Sequence, residues 1–170
     1  MPNILSINVI DLLQARGVES ARLEFKAAWN PASVGLQVLH TVCAFANDLQ
    51  NLNGGYIVIG VQAHDGVAQL PPVGIAPSRL DEIQRWIRGR CNTIDPVYQP
   101  VLSPEVVDNR HILVIWAPGS DSRPHQASES LLKRLSASRS EIRQALEQAQ
   151  RLAPNETRFV DEIARLDSGS

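Results

Sequence analysis

Glu19 and Glu24 stand five positions apart at the start of the stretch ESARLEFK. Two carboxylates held close together can share a Mg²⁺ or Mn²⁺ ion, since both metals favour hard oxygen ligands. A metal so held activates water or stabilises a phosphoryl transition state. The competing reading is structural, with Glu24 and Lys26 as solvated residues on the open face of a sheet. A second candidate is Gly54-Gly55, whose backbone N–H groups could approach a phosphate. No Lys-Ser/Thr pair follows it and no G-x-G-x-x-G follows a strand, so a structural turn is the simpler account. The third is the run holding Arg79, Arg85, Arg88 and Arg90, guanidinium groups suited to phosphate. Asp81 and Glu82 lie among them, so an ordinary solvated helix face competes. Trp86 reads as a core or interface anchor. His40, His64, His111 and His125 pair with no cysteine at zinc spacing. No G-x-S-x-G elbow places a serine nucleophile.

The elements that must position these groups follow from periodicity. Val9 to Ala15 reads as a short amphipathic helix with Gly17 as its C-cap. Ala21, Leu23 and Phe25 alternate with Arg22, Glu24 and Lys26, which predicts a strand with its charge on one face. Pro31 and Ser33 open a helix carrying Val34, Val38, Leu39, Val42, Cys43, Phe45 and Ala46 at helical spacing. Asn47 to Gly55 is a polar loop. Tyr56 to Val61 is a continuous apolar run, the pattern of a strand covered on both faces. Asp65-Gly66 predicts a hairpin turn with Val67 to Leu70 returning.

Ser78 and Asp81 suggest a capping box before a helix that buries Leu80, Ile83 and Ile87. Prolines 96, 100 and 104 reduce Val97 to Leu102 to an edge strand at best. Glu105 to Val107 and His111 to Ala117 flank Asp108-Asn109 as a hairpin feeding a central strand, and Pro118 to Pro124 is loop. From Ser128 the texture turns helical. Ile142, Ala145, Leu146, Ala149 and Leu152 form one stripe, and Phe159, Val160, Ile163 and Leu166 form a last helix after Pro154-Asn155.

The fold expected is α/β (α+β): a mixed sheet flanked by helices over residues 1–127, and a helical extension over 128–170 packing on it. The 170 residues carry 44% hydrophobic and 20% charged side chains, ordinary for a globular chain. A formal net charge of -2 excludes polyanion binding through bulk charge, so a nucleic-acid site must be a local patch. Cys43 and Cys91 sit in apolar helical settings. With no signal-peptide pattern, they read as reduced core thiols of a cytoplasmic protein. No apolar run reaches membrane-spanning length, so no membrane partner is expected.

The ordered set ES-x-x-LEFK, AFAN and a Gly-Gly turn into YIVIGV, with DGVAQLPPVGI and SRPHQA beyond it, resembles the Schlafen AlbA-type domain family over roughly residues 12 to 127. The resemblance implies a mixed sheet flanked by helices. It also implies DNA or RNA as partner, often within a homodimer or a two-lobed assembly, as a module of a transcriptional regulator or helicase-related protein. Some relatives are metal-dependent RNases with three carboxylates. Glu19 and Glu24 reproduce the spacing of two. The third, placed after the I-G-V strand, is missing where the chain reads Gly60-Val61-Gln62-Ala63, and Asp65 is the nearest substitute. On this implication Mg²⁺ or Mn²⁺ would be the cofactor, and only of a nuclease. An ATP-binding label also travels with the family, and no Walker-type lysine supports it here.

Beyond Ser128 the chain departs from the family by turning helical. It also lacks the ATPase-like and winged-helix regions, leaving a stand-alone module and a piece of a longer protein both open. The leading expectation is a nucleic-acid-binding module with Arg22, Lys26, Arg85 and Arg88 on phosphates. The alternatives are a metal-dependent nuclease using Glu19, Glu24 and Asp65, and an oligomerisation module docking through the Ile142, Leu146, Ala149 stripe and Trp29.

Overall fold

The computed structural model describes Leu5 and residues 7–15, 22–127 and 143–144. The chain divides into two units, Met1–Ser128 and Glu129–Ser170. In the second, Arg143 and Gln144 are helical and exposed. The remaining expectations for the tail, its apolar stripes included, lie outside the described residues.

The first unit is built on four strands: β1 (Leu23–Lys26), β2 (Gly55–Ile59), β6 (Val101–Val107) and β7 (Arg110–Ala117), in the spatial order β1-β2-β7-β6. β1 and β2 run parallel, and the other pairs are antiparallel, so the sheet is mixed as the sequence predicts. The continuous apolar runs of β2 and β7 take the two inner places because only they bear apolar residues on both faces. β6 lies at an edge, which is where a strand tolerates Pro104. It begins at Val101 rather than Val97 and runs straight into the β6–β7 hairpin, with Asp108 and Asn109 both at positive φ in its turn.

Among the described residues three helices cover the sheet. α2 (Val34–Asn47) and α3 (Pro77–Cys91) bury Val38, Leu39, Val42, Ile83 and Ile87 against Ile57, Ile59, Leu113 and Ile115. On the other face α1 (Val9–Gln14) places Leu12 and Leu13 over Val58, Ile112 and Val114. Two short antiparallel pairs lie outside this sheet: the hairpin β3 (Ala63–His64) with β4 (Val67–Ala68), and the long-range pair β5 (Ile94–Asp95) with β8 (Gln126–Ala127).

Three local expectations are corrected. α1 stops at Gln14 with Ala15 as its C-cap, before Gly17 is reached. α3 begins at Pro77 on an Ala76 N-cap with no side-chain cap. Proline's fixed φ and missing N–H suit the first helical position, so Pro77 rather than Ser78 sets the start. Trp29 is buried, 8% exposed, and meets Trp86 edge-on at 5.3 Å between ring centroids. It is a core residue and offers no docking surface.

Trp86 lies over Gly35, where a Cβ would fall 2.6 Å from Cη2 of the indole. Gly35→Ala is therefore expected to lose about 1 kcal/mol net. Overpacking costs slightly more than the gain in helix propensity returns. Thermal denaturation measures the loss, and a shifted tryptophan emission reports the displaced ring.

Candidate nucleic-acid interface and the charged seam of β1

Arg22, Glu24 and Lys26 project toward α2. Within the sheet Glu24 is level with Ile57 and Lys26 with Ile59, both packed under that helix. The helix answers with Gln37, Thr41, Phe45 and Asp48, residues three or four apart and so on one stripe. The Lys26 ammonium donates to Gln37 Oε1 at 2.7 Å and pairs with Glu24 at 2.5 Å. The Thr41 hydroxyl donates to Glu24 Oε2 at 2.7 Å. Arg22 donates to the Asp48 carboxylate, with its guanidinium 5.8 Å from the centre of the Phe45 ring. The charged face of β1 is thus a closed seam between strand and helix rather than an open solvated face.

The seam ends at Asp48, which is 2% exposed and stands in the left-handed region as the C-cap of α2. Its two carboxylate oxygens accept N–H groups of Leu52 at 2.9 Å and Gly54 at 3.2 Å. Burial by itself would raise the Asp48 carboxyl. The two N–H donors and the Arg22 guanidinium outweigh it and hold the group below the usual carboxylate range. Arg123 donates to the carbonyls of Asn47 and Asp48, satisfying the end of α2. Asn47 brackets His125, accepting its N–H at 2.6 Å and donating to its carbonyl at 3.0 Å. Through these bonds the AFAN, Gly-Gly and RPH segments meet at the C-terminal pole of α2. Asp48, Asn47 and Arg123 were missed as individual residues, although each lies in or beside a motif the sequence displays.

The candidate metal ligands are not assembled among the described residues. Glu24 is engaged by Thr41 and Lys26. Asp65 is exposed on the β3–β4 turn, 3.1 Å from His64. Glu19 lies outside the described residues. No group of three or more His, Cys, Asp or Glu side chains able to hold a metal occurs among the described residues. The cysteines are buried and free. Burial, with a smaller contribution from Cys43, pushes the Cys91 thiol up to about 12, and burial raises Cys43 as well. Neither is a poised nucleophile.

The arginines of α3 divide between two flanks. Arg79 reaches toward Glu82 at 3.9 Å, and Arg90 lies over Trp86 at 5.5 Å. Arg85 and Arg88 share the other flank and are exposed. With Asp81 and Gln84 they line a shallow, open depression of about 390 Å³. The Arg85 Nε donates to the Asp81 carbonyl, and neither guanidinium has an ion pair among the described residues. This flank can accept phosphate oxygens without breaking a buried contact, whereas Arg22 and Lys26 would first have to leave α2.

The family model described as Schlafen, AlbA_2 matches residues 19–143. Among solved structures, the chain is similar to the N-terminal domain of a RecG-related protein from Nitrosomonas europaea, provisionally described as an ATP-dependent DNA helicase. Identity is 33%, covering 62% of this chain and 67% of that one, with a TM-score of 0.49. It is also similar to the DIP2311 protein from Corynebacterium diphtheriae at 18% identity, with a TM-score of 0.47. That match covers 71% of this chain and 23% of that one, so the chain spans about a quarter of its length. No curated protein matches the chain.

Proposed function

The chain belongs to the Schlafen AlbA_2 family, and on that premise we propose that it is a nucleic-acid-binding module that grips the phosphate backbone through the Arg85–Arg88 flank of α3. The observation that carries the reading is this pair of exposed guanidiniums, one helical turn apart and without ion pairs among the described residues, beside an open depression. A planar guanidinium binds a phosphate in a two-pronged fashion. The net charge of -2 means that attraction is local, so affinity rests on few contacts. DNA and RNA are equally served by such contacts, which carry no base information.

Fluorescence anisotropy with labelled single-stranded RNA, single-stranded DNA and duplex DNA tests the proposal across a salt series. Two phosphate contacts give a log–log slope of about -1.4 for single strands and about -1.8 for duplex, or steeper if further contacts exist. Absence of salt-dependent binding to all three would remove it. Inclusion of Mn²⁺ in the same series addresses the metal-dependent nuclease alternative, for which Glu19, Glu24 and Asp65 remain the candidates. Cleavage that requires Mn²⁺ and is lost in Glu24→Gln would replace the binding-module reading with that one.

A further inference from the structure

A second depression, of about 410 Å³, opens where Gly74, Pro77, Asn109, Arg110 and His111 come together. Pro77 also begins the helix stripe that continues through Asp81, Gln84, Arg85 and Arg88, since residues three, four and seven apart share a face. The two depressions therefore lie in series along one flank of α3. From Pro77 to Arg88 the helix rises about 16 Å, the length of about five nucleotides of one strand of a duplex.

Arg110 stands at the far end of this line. It is exposed, its Nη1 donates to the Val73 carbonyl at 3.1 Å, and it has no ion pair among the described residues. The charged and titratable groups along the flank are Arg110, His111, Asp81, Arg85 and Arg88, with Asp108 exposed in the β6–β7 turn beside Arg110. Asp81 lies between the cations at the two ends.

We propose that Arg110 is a further phosphate contact, so that one nucleic-acid strand runs along α3 from the β6–β7 turn to Arg88. The inference rests on the function proposed above and extends it to a track of defined direction and ends. A single anionic pocket would need only one cluster. Cations placed beside the two ends of a helical stretch that rises about 16 Å fit a ligand with repeated phosphates.

The salt series is repeated with Arg110→Gln, Arg110→Lys, the Arg85→Gln/Arg88→Gln double variant and Arg79→Gln, using the same three labelled oligonucleotides. Circular dichroism and thermal melting confirm that each variant folds. Arg110→Gln is expected to weaken binding about fivefold and to flatten the slope by about 0.7 to 0.9, the share of one phosphate. Arg110→Lys keeps the slope, and Arg79→Gln, on the other flank, leaves it unchanged. A flattened slope in the double variant with wild-type behaviour in Arg110→Gln would overturn the track while sparing the Arg85–Arg88 assignment. Equal flattening by Arg79→Gln, or failure of a folded Arg110→Lys to keep the slope, would also overturn it. Loss of all salt-dependent binding in the wild-type chain would overturn both.

Discussion

Replacing Asp48 by alanine is expected to cost about 3 kcal/mol of folding stability. Removing one partner of a buried ion pair leaves the other charge uncompensated, with losses of about 3–5 kcal/mol. The lower end applies because Arg22 keeps a fifth of its side chain in water. The substitution also strips acceptors from the Leu52 and Gly54 N–H groups. Asp48→Asn is expected to lose less, since asparagine tolerates the left-handed conformation at this cap and still offers an oxygen.

The pH dependence has a definite sign. The folded carboxyl lies below its unfolded value of about 4. Its contribution is full above that value and disappears as the pH falls below it through the folded one. Urea denaturation of wild type and Asp48→Asn at pH 7 and at pH 3 checks this. The two chains should differ clearly at neutral pH, and the gap should be narrower at pH 3. A gap that is constant with pH would show that the carboxylate charge plays no part.

Gly54→Ala is expected to be at least as damaging. Gly54 sits at φ +73, and a Cβ there would fall 1.8 Å from the Ala117 carbonyl oxygen and 2.6 Å from Cα of Pro118. Both obstacles are backbone, at the point where β7 ends beside the start of β2. They cannot rotate aside as a side chain would. Relief requires either the loop to leave Asp48 or the β2–β7 pairing to open. A loss of about 4 kcal/mol is expected, the size reserved for substitutions that force packed elements apart. Denaturant unfolding measures it. A stable Gly54→Ala chain would mean that the close approach of the turn to Ala117 is dispensable.

These two predictions mark the part of the molecule that sequence patterning reached least well. The alternation in Ala21–Lys26 and the apolar runs of β2 and β7 specify strands because side-chain direction repeats every two residues. The helical spacing of Val38, Leu39, Val42 and Cys43 likewise places α2. What alternation cannot reveal is what faces the polar side of a strand. By spacing alone Glu24 and Lys26 read as solvated residues, Glu24 also as a ligand for metal, and Arg22 and Lys26 also as phosphate contacts. Only the packing of α2 supplies Gln37, Thr41 and Asp48 as their partners.

The loop after Asn47 read as merely polar, although Asp48, Asn51 and Asn53 all adopt positive φ, the conformation that Asn and Asp tolerate best. That composition was the available signal. Trp29 misled for a related reason. It lies in the connection between β1 and α2, outside any periodic element, and its partner Trp86 lies far along the chain on α3. On α3, helical periodicity does separate Arg85 and Arg88 from Arg79 and Arg90. Whether those side chains were already paired was a matter for the fold.

The central claim is that Arg85 and Arg88 hold phosphate. It is tested most directly by the salt dependence of oligonucleotide binding in the Arg85→Glu/Arg88→Glu variant. Both residues are exposed and outside the core, so the variant should fold and melt like the wild type. The account predicts binding weakened at least tenfold at low salt. It also predicts a slope flattened by about 1.4 for single strands and about 1.8 for duplex, the share of two phosphates. A folded double variant that binds all three oligonucleotides with unaltered affinity and slope would contradict it.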